Sequence, residues 1–375
     1  MFFSCFFDVK KCFDTIDHQI LLQKLMLYGI KGRAMDWFSN YLHNRMQFVK
    51  ANNEKSELMP TSTGIPQGSA LGPFLFLVFI NDMPQHIHKS RCNMFADDNV
   101  LYTSGLSFIN TKNDLQESID EASKWYRNNH LPVNTVKTVS MISASSRKIR
   151  ELQEQNVSLD LKLNEASLKQ VPECLYLGLC LDSSLNWNSQ VQKICKSVYY
   201  KLFVLNKLRK YMGRNLLSKI YVTNIKPCIE YGISIWGHCS ENNRMVIRRL
   251  QHRAARIVMG NFDYINVRGH DLVQQLGWQT IEQRRDYFIA TLMHRCINET
   301  APTHLVNELI MTVDTHDIST RAAFNGTIQI PEPNKDIFKH TFRYQGALLW
   351  NNLPPELRGI TDINVFKYMY KCLYF

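Results

Sequence analysis

The chain has 375 residues, 45% hydrophobic and 11% aromatic, with 44 Lys and Arg against 33 Asp and Glu and a pI near 9.1. Such a composition supports a large packed core and excludes a disordered or fibrous chain; the length suggests about two or three domains. The basic surplus is local: residues 191–300 hold 18 Lys and Arg against 7 Asp and Glu, and the remainder balances at 26 against 26. A localised surplus is what a polyanion-binding surface needs, and a solubilising face would give the same count.

Ten cysteines are scattered with no CxxC and no His/Cys grouping at zinc spacing, which points to buried or free thiols in a reducing compartment. The apolar start Met1 to Phe7 meets Asp8 at once and has no basic leader, so a signal peptide is not expected. The most apolar run, Leu71 to Ile80, is about half of a membrane span. The expectation is an intracellular protein, nuclear or cytoplasmic, with no membrane segment.

Phe2 to Val9 reads as a buried strand. Asp17 opens a helical pattern through Ile20, Leu21, Leu25 and Tyr28, closed by Gly29. A second helix gathers Trp37, Phe38, Tyr41 and Leu42 on one face. Met46–Val49 and Glu57–Met59 flank Asn52-Asn53 as a hairpin. The turn-rich loop from Gly64 to Pro73 runs into an apolar helix over Phe74–Met83; its glycines allow close backbone approach to a ligand, or mark a plain loop-to-helix junction.

Met94 to Tyr102 reads as a tight hairpin with Asp97 and Asp98 at the turn. Leu115, Ile119, Ala122 and Trp125 mark a helix ending at Asn128-Asn129. Leu131 to Ile142, with Asn134 and Lys137, is a short strand–turn–strand, and 144–170 reads as a polar surface connection. Tyr176 to Leu181 reads as a strand with a central Gly178. Two basic helices follow, at about Asn188–Tyr211 and Glu241–Met259. On the second, Ile247, Leu250, Ala254, Ile257 and Val258 pack inward and Arg244, Arg248, Arg249, His252, Arg253 and Arg256 point largely outward.

Two neighbouring acids at a turn repel each other, and a solvated turn is their ordinary use. Asp8 changes this. It ends the first strand, so if the strands are adjacent, Asp8, Asp97 and Asp98 meet on one sheet edge, where three acids call for bound cations. Two Mg²⁺ ions there could activate a 3′-hydroxyl and stabilise a pyrophosphate leaving group.

The ordered set Phe7-Asp8-x-x-x-x-Phe13-Asp14-Thr15-x-Asp17-His18, Gly64-Ile65-Pro66-Gln67-Gly68-Ser69 and Phe95-Ala96-Asp97-Asp98 resembles a reverse transcriptase of non-LTR (jockey-like, LINE-type) retrotransposons. The similarity continues through Leu131-x-x-Asn134-x-x-Lys137-Thr138 and Tyr176-Leu177-Gly178. It extends to Pro227-x-x-x-Tyr231-Gly232, Leu250-Gln251-x-x-Ala254-Ala255-Arg256 and Leu349-Trp350-Asn351-x-Leu353-Pro354, so it covers essentially the whole chain.

The resemblance implies an α+β fold: a right-hand polymerase palm over 1–185, its antiparallel sheet packed by helices, a thumb-like basic helical region over 186–260, and a mostly helical tail over 261–375. It implies RNA-directed DNA synthesis from dNTPs on an RNA template and a DNA primer or target. Two Mg²⁺ ions, with Mn²⁺ as alternative, would be held by Asp8, Asp97 and Asp98. Phe13 would bar a 2′-hydroxyl, Pro66, Gln67, Gly68 and Ser69 would line the nucleotide pocket, and Lys137 would protonate the leaving pyrophosphate. Tyr176, Leu177 and Gly178 would grip the primer, and Lys193, Lys196, Arg248, Arg249, Arg253 and Arg256 would contact nucleic-acid phosphates.

Where the family usually has Ala this chain has Cys12. The finger segments and endonuclease of the family have no counterpart before β-type residues 2–9, as in a 5′-truncated element, and negligible activity is expected of a chain without them. Two competing readings stand beside the leading one: a catalytically dead remnant that at most binds nucleic acid, and another palm-type nucleotidyltransferase. The Pro66-Gln67-Gly68 loop and the tail disfavour the latter.

Overall fold

The run Phe2–Phe7 forms β1, and its alternation decides what lies on each side of the first unit. The structure, a computed structural model, describes residues 1–312, 326–333 and 336–375. It divides into two units, Met1–Leu185 and Asn186–Phe375.

In the first unit β1 is followed by α1 (His18–Leu27), α2 (Arg33–Leu42), β2 (Met46–Gln47), β3 (Lys50–Ala51), β4 (Glu54–Lys55), β5 (Met59–Pro60) and α3 (Gly72–Ile80). Then come β6 (Arg91–Phe95), β7 (Asp98–Ser104), α4 (Phe108–Asn128), β8 (Val139–Ser143) and α5 (Ser146–Glu154). Five short strands close the unit: β9 (Lys162–Leu163), β10 (Ala166–Ser167), β11 (Lys169–Gln170), β12 (Glu173–Tyr176) and β13 (Leu179–Asp182).

The main sheet has the order β11-β8-β1-β7-β6. All its pairings are antiparallel except the short parallel edge of β11 on β8. Because strand side chains alternate, Phe3, Cys5 and Phe7 of β1 enter the large core with Leu75, Phe76 and Phe79 of α3 and Leu115, Ile119 and Trp125 of α4. Phe6 points the other way, onto a small cluster with Val100, Met141 and Tyr176. Each fully buried aromatic or aliphatic side chain contributes roughly 1.5–3 kcal/mol, so the helix-covered face carries most of the stability.

Local signals account for the helix ends. The Asp17 carboxylate accepts from the Gln19 and Ile20 amides and starts α1, and Gly29 follows it at φ 89°. Lys24 of α1 is buried yet satisfied by Asp82 (2.7 Å) and the Phe79 carbonyl (2.6 Å). The run Leu71 to Ile80 is a buried core helix, and among the described residues no helix is long and apolar enough to cross a membrane. Trp37 departs from its expected inward face: it is exposed and stacks on Tyr41.

Residues 144–170 are not a surface connection. They form α5 and β9–β11 and send Leu152, Leu159, Leu161, Leu163 and Leu168 into the core. The alternation of leucines at 159, 161 and 163 is the strand signal in that stretch.

The second unit is helical: α6 (Asn188–Leu208), α7 (Arg214–Ile220), α8 (Lys226–Glu230), α9 (Ile233–Trp236), α10 (Glu241–Met259), α11 (Gly269–Gln275) and α12 (Ile281–Ile297). They are followed by α13 (Thr303–Val306), α14 (Phe342–Asn351), α15 (Pro355–Arg358) and α16 (Ile363–Tyr374). The stripe Ile194, Val198, Leu202 and Leu205 of α6 is buried where α6 packs on α10. Trp350 of α14 and Phe366 of α16 form the tail's core with Ala290 and Met293 of α12. Residues 313–325 and 334–335 of the expected tail lie outside the described residues.

Candidate active site

β1 and β7 run antiparallel in a register that pairs Phe7 with Asn99. The residue after Phe7 is Asp8 and the residue before Asn99 is Asp98, so the register brings the two acids side by side. Alternation places both on the Phe6 face of the sheet, away from the helix-covered core. A two-residue turn, Ala96-Asp97, links β6 to β7, with Ala96 at φ 52°. Asp97 thus sits in the turn, whereas Asp98 is already the first residue of the strand.

The charges reach one another. Burial first, then the charges of Asp97 and Asp8, hold the Asp98 carboxyl above its ordinary value. No Lys, Arg or His forms an ion pair with any of the three among the described residues. Asp8 is oriented instead by neutral partners. Asn134 Nδ2 donates to its Oδ2 (2.9 Å), the Asn134 amide donates to its carbonyl (2.7 Å), and its own amide donates to Thr138 Oγ1 (3.2 Å). Asn134 belongs to the Leu131-x-x-Asn134 motif, but the sequence alone gave it no task. Cys12 is buried with its thiol in hydrogen-bond contact with Asp97; burial, then Asp97, push it up to about 12.

The donor set suits a hard divalent cation. Mg²⁺ keeps several waters and binds through one or two carboxylates plus substrate phosphates, without an all-protein cage. Asp8 lines an open cleft, and among the described residues no three His, Cys, Asp or Glu side chains form a group that could hold a metal ion by themselves, so a cation there would rest on one or two carboxylates together with substrate phosphates. The cleft beside Asp8 measures about 530 Å³ and is lined by Lys10, Lys11, Thr15, Pro132, Asn134 and Lys137. Lys137 stands exposed on the turn between Asn134 and β8.

Phe13 is half-buried, its ring stacked on Phe76 with centroids 4.8 Å apart. The Gly64–Ser69 loop is stitched to the Asp8 loop: the Gly64 amide donates to the Ile16 carbonyl and the Ile65 amide to the Phe13 carbonyl, both at 2.8 Å. Gly64 is required by that contact, since at φ 89° a Cβ would lie 2.8 Å from the Asp14 carbonyl oxygen. Pro66 and Gln67 line a second groove of about 620 Å³ with Lys11, Asp14 and Arg45. Gln67 Nε2 donates to Asp14 Oδ1 (2.8 Å). Gly68 is exposed at φ 79°. The Ser69 hydroxyl is occupied within the fold, accepting from the Tyr41 hydroxyl (2.9 Å) and the Gly72 amide (3.0 Å).

Tyr176 to Leu181 is not one strand. β12 and β13 form a hairpin whose turn residues, Leu177 (φ 46°) and Gly178 (φ 77°), are both left-handed, as a type I′ turn requires. Tyr176 packs on Phe6 (centroids 5.5 Å apart), close enough to Asp98 that burial and then that charge raise its hydroxyl above the ordinary value. Lys11, Ala96 and Leu177 all hold positive φ without being Gly or Asn, and strain of this kind gathers at functional sites.

In the helical unit the expected cationic face is only partly present. Arg256 is not outward: it is buried, donating to the Asp263 (2.8 Å) and Val267 (2.6 Å) carbonyls and covering the Tyr264 ring. The loop after Gly260 folds back over its flank. Arg248 is held by Glu282 at 2.5 Å. Arg249 and Arg253 are exposed, the latter over the Tyr199 ring, and Lys193 and Lys196 are exposed on α6.

Residues 3–181 match the reverse transcriptase (RNA-dependent DNA polymerase) family. The chain is 28% identical over 283 residues to the RNA-directed DNA polymerase from mobile element jockey of Drosophila melanogaster, covering 71% of this chain and 29% of that protein. It is likewise 28% identical over 298 residues to the probable RNA-directed DNA polymerase from transposon BS of the same fly, covering 75% and 31%. Among solved structures, a telomerase from Candida albicans in complex with a fragment of telomeric RNA covers 75% of this chain and 50% of its own, at 14% identity and a TM-score of 0.38.

The palm sheet and the match over 3–181 define the class: this is a reverse transcriptase domain with the polymerase fold. Over most of its length the chain is similar to RNA-directed DNA polymerases of non-LTR retrotransposons. It spans under a third of the length of these curated relatives. Reverse transcriptases are in general dependent on divalent metal.

Proposed function

We propose that the chain carries the polymerising centre of an RNA-directed DNA polymerase, joining a dNTP to a DNA primer 3′-hydroxyl on an RNA template. The observation that carries the reading is Asp8 beside Asp98 at paired strand ends, with Asp97 in the adjoining turn and no cationic partner among the described residues. Two Mg²⁺ ions (Mn²⁺ in their place), when bound by these acids, would lower the pKa of the 3′-hydroxyl and stabilise the leaving pyrophosphate.

The chain's own groups do the rest. Asn134 and Thr138 fix Asp8, so its free oxygen is preset for a cation. The Phe13 ring, braced by Phe76, fills the space a 2′-hydroxyl would need. Gln67, with Pro66, Gly68 and Ser69, walls the nucleotide side, and Lys137 delivers a proton to the departing pyrophosphate oxygen. The Tyr176-Leu177-Gly178 hairpin holds the primer end. Residues 186–260 serve as thumb, with Lys193, Lys196, Arg249 and Arg253 on nucleic-acid phosphates, and 261–375 as tail.

The test is single-turnover primer extension on an RNA template with enzyme in excess. With an upstream finger segment supplied in cis, Mg²⁺-dependent addition of dNTP is expected, abolished by chelator and reduced on the order of 10³-fold in Asp97→Ala, a loss of about 4 kcal/mol. Addition by that longer chain that survives Asp97→Ala, or none by the longer chain, would overturn the reading.

A further inference from the structure

Helix α6 buries Ile194, Val198, Leu202 and Leu205, and that stripe meets its need for a core. The opposite face carries Lys196, Tyr199, Tyr200, Phe203 and Lys207, spaced by three and four residues so that all five project to one side. All five are exposed, Tyr200 at 71% and Phe203 at 60%. Aromatic residues are only middling helix formers, and each ring left in water forgoes the gain of burying its apolar surface. Three such rings on adjacent turns are more than a solvated helix face asks for.

The charge around the rings has one sign. Residues 183–229 hold nine Lys and Arg and no Asp or Glu, so the field over this face attracts a polyanion. Two cations lean on the rings themselves: Lys207 over Phe203 (5.4 Å to the centroid) and, from α10, Arg253 over Tyr199 (5.7 Å). None of Lys196, Lys207 and Arg253 forms a salt bridge among the described residues. Exposed rings set among cations suit an unpaired strand, whose backbone follows the charge while its bases stack on the rings. A duplex would leave the rings unused, because its bases already stack on each other and it presents phosphates and groove edges. A lipid surface calls for a helix with one wholly apolar side free, and the apolar side of α6 is taken up by the core.

We infer that the outer face of α6 is a stacking platform for an unpaired nucleic-acid strand, with Tyr199, Tyr200 and Phe203 taking bases and Lys196, Lys207 and Arg253 taking phosphates. From Lys196 to Lys207 the helix runs about 16 Å, room for a few nucleotides. Stacking is tolerant of base identity, so RNA and DNA strands both qualify. The inference deepens the phosphate contacts proposed for residues 186–260 and rests on that reading, but makes no use of the Asp8 centre.

Fluorescence anisotropy with labelled unpaired RNA, unpaired DNA of the same sequence and an RNA–DNA hybrid tests this. Tyr199→Ala/Tyr200→Ala/Phe203→Ala should weaken both unpaired strands on the order of 100-fold, and the hybrid by less than about threefold. Tyr199→Phe/Tyr200→Phe keeps the rings and should bind as the unaltered chain does. Lys196→Gln/Lys207→Gln should flatten the salt dependence for all three ligands. The fluorescent base 2-aminopurine, placed in the strand, should be quenched by the unaltered chain and stay bright with the triple variant. Unchanged circular dichroism of the triple variant separates lost stacking from lost fold, and Tyr200→Ala and Phe203→Ala singly, each expected to cost about tenfold, keep the test open if it unfolds.

Affinity for unpaired strands that survives loss of the rings, or an equal loss for strands and hybrid, overturns the platform and leaves the phosphate contacts standing. Binding of the hybrid alone by the unaltered chain does the same. Failure to bind any of the three overturns the platform and the phosphate contacts together. Phosphatidylserine vesicles should not bind; vesicle binding that is lost in the triple variant would give this face to a lipid surface instead.

Discussion

At the open end of the sheet, Asp8, Asp97 and Asp98 stand together with no cationic partner among the described residues, while on α10 the guanidiniums of Arg248 and Arg256 are consumed within their own unit. Both regions are dense in charge, and both stood out in the sequence for it. They differ in what satisfies the charge. A group whose hydrogen bonds are complete is holding the fold, and its removal is felt as instability. A group left repelling its neighbours is held for something that arrives later.

The comparison breaks most visibly at Arg256. Arg256→Gln should destabilise the helical unit by about 2–4 kcal/mol, through two lost charge-assisted hydrogen bonds and the Tyr264 contact. Thermal unfolding should show a fall of roughly 5–10 °C. Arg249→Gln/Arg253→Gln, by contrast, should stay within about 0.5 kcal/mol while flattening the salt dependence of RNA–DNA hybrid binding. The reverse pattern would reassign Arg256 to nucleic acid.

Asn134 sharpens the contrast from the other side. Asn134→Ala leaves the acids in place but frees Asp8, so activity should fall on the order of tenfold. The Mg²⁺ concentration for half-activity should rise with it. A change in melting temperature with no change in metal requirement would make Asn134 a fold residue only.

The smallest effect concerns Asp98. Its carboxyl is held above the usual 3.8 by burial and by Asp97 and Asp8. The folded state therefore keeps that proton more tightly than the unfolded state. Its stability is greatest below about pH 4 and declines as pH rises through the raised value. At neutral pH without divalent metal, Asp98→Asn should raise the melting temperature by about one or two degrees, a modest gain because the group is solvent-screened. The gain should vanish near pH 3, where both states are protonated; a gain independent of pH would point to packing instead.

Much of this was readable in the chain. The Asp17 cap and Gly29 bracket α1, and the stripe from Ile247 to Val258 gives α10 its ends, because capping and 3.6-residue periodicity are local. The adjacency of β1 and β7 was conditional on pairing, which no local signal fixes. Arg256 misled because its acceptors, Asp263 and Val267, belong to a loop that returns after the helix has ended. Gly64 suggested a ligand where the close neighbour is the backbone of Asp14. Asn134 lies 126 residues from the carboxylate it orients, and nothing short of the fold puts the two together. Leu159, Leu161 and Leu163 carry a strand alternation too short to stand out in a polar stretch, and the fold shows that it is buried.

The central claim, that these acids, which have no cationic partner among the described residues, form a divalent-cation site, is tested most directly with Mn²⁺ as a paramagnetic probe. Free Mn²⁺ gives a six-line electron paramagnetic resonance signal that diminishes on binding. The unaltered chain is predicted to diminish it saturably, with Mg²⁺ competing and the signal returning. Asp8→Asn/Asp97→Asn should leave it at the level of buffer while retaining its fold by circular dichroism. An equal loss of signal with the double variant would contradict the account.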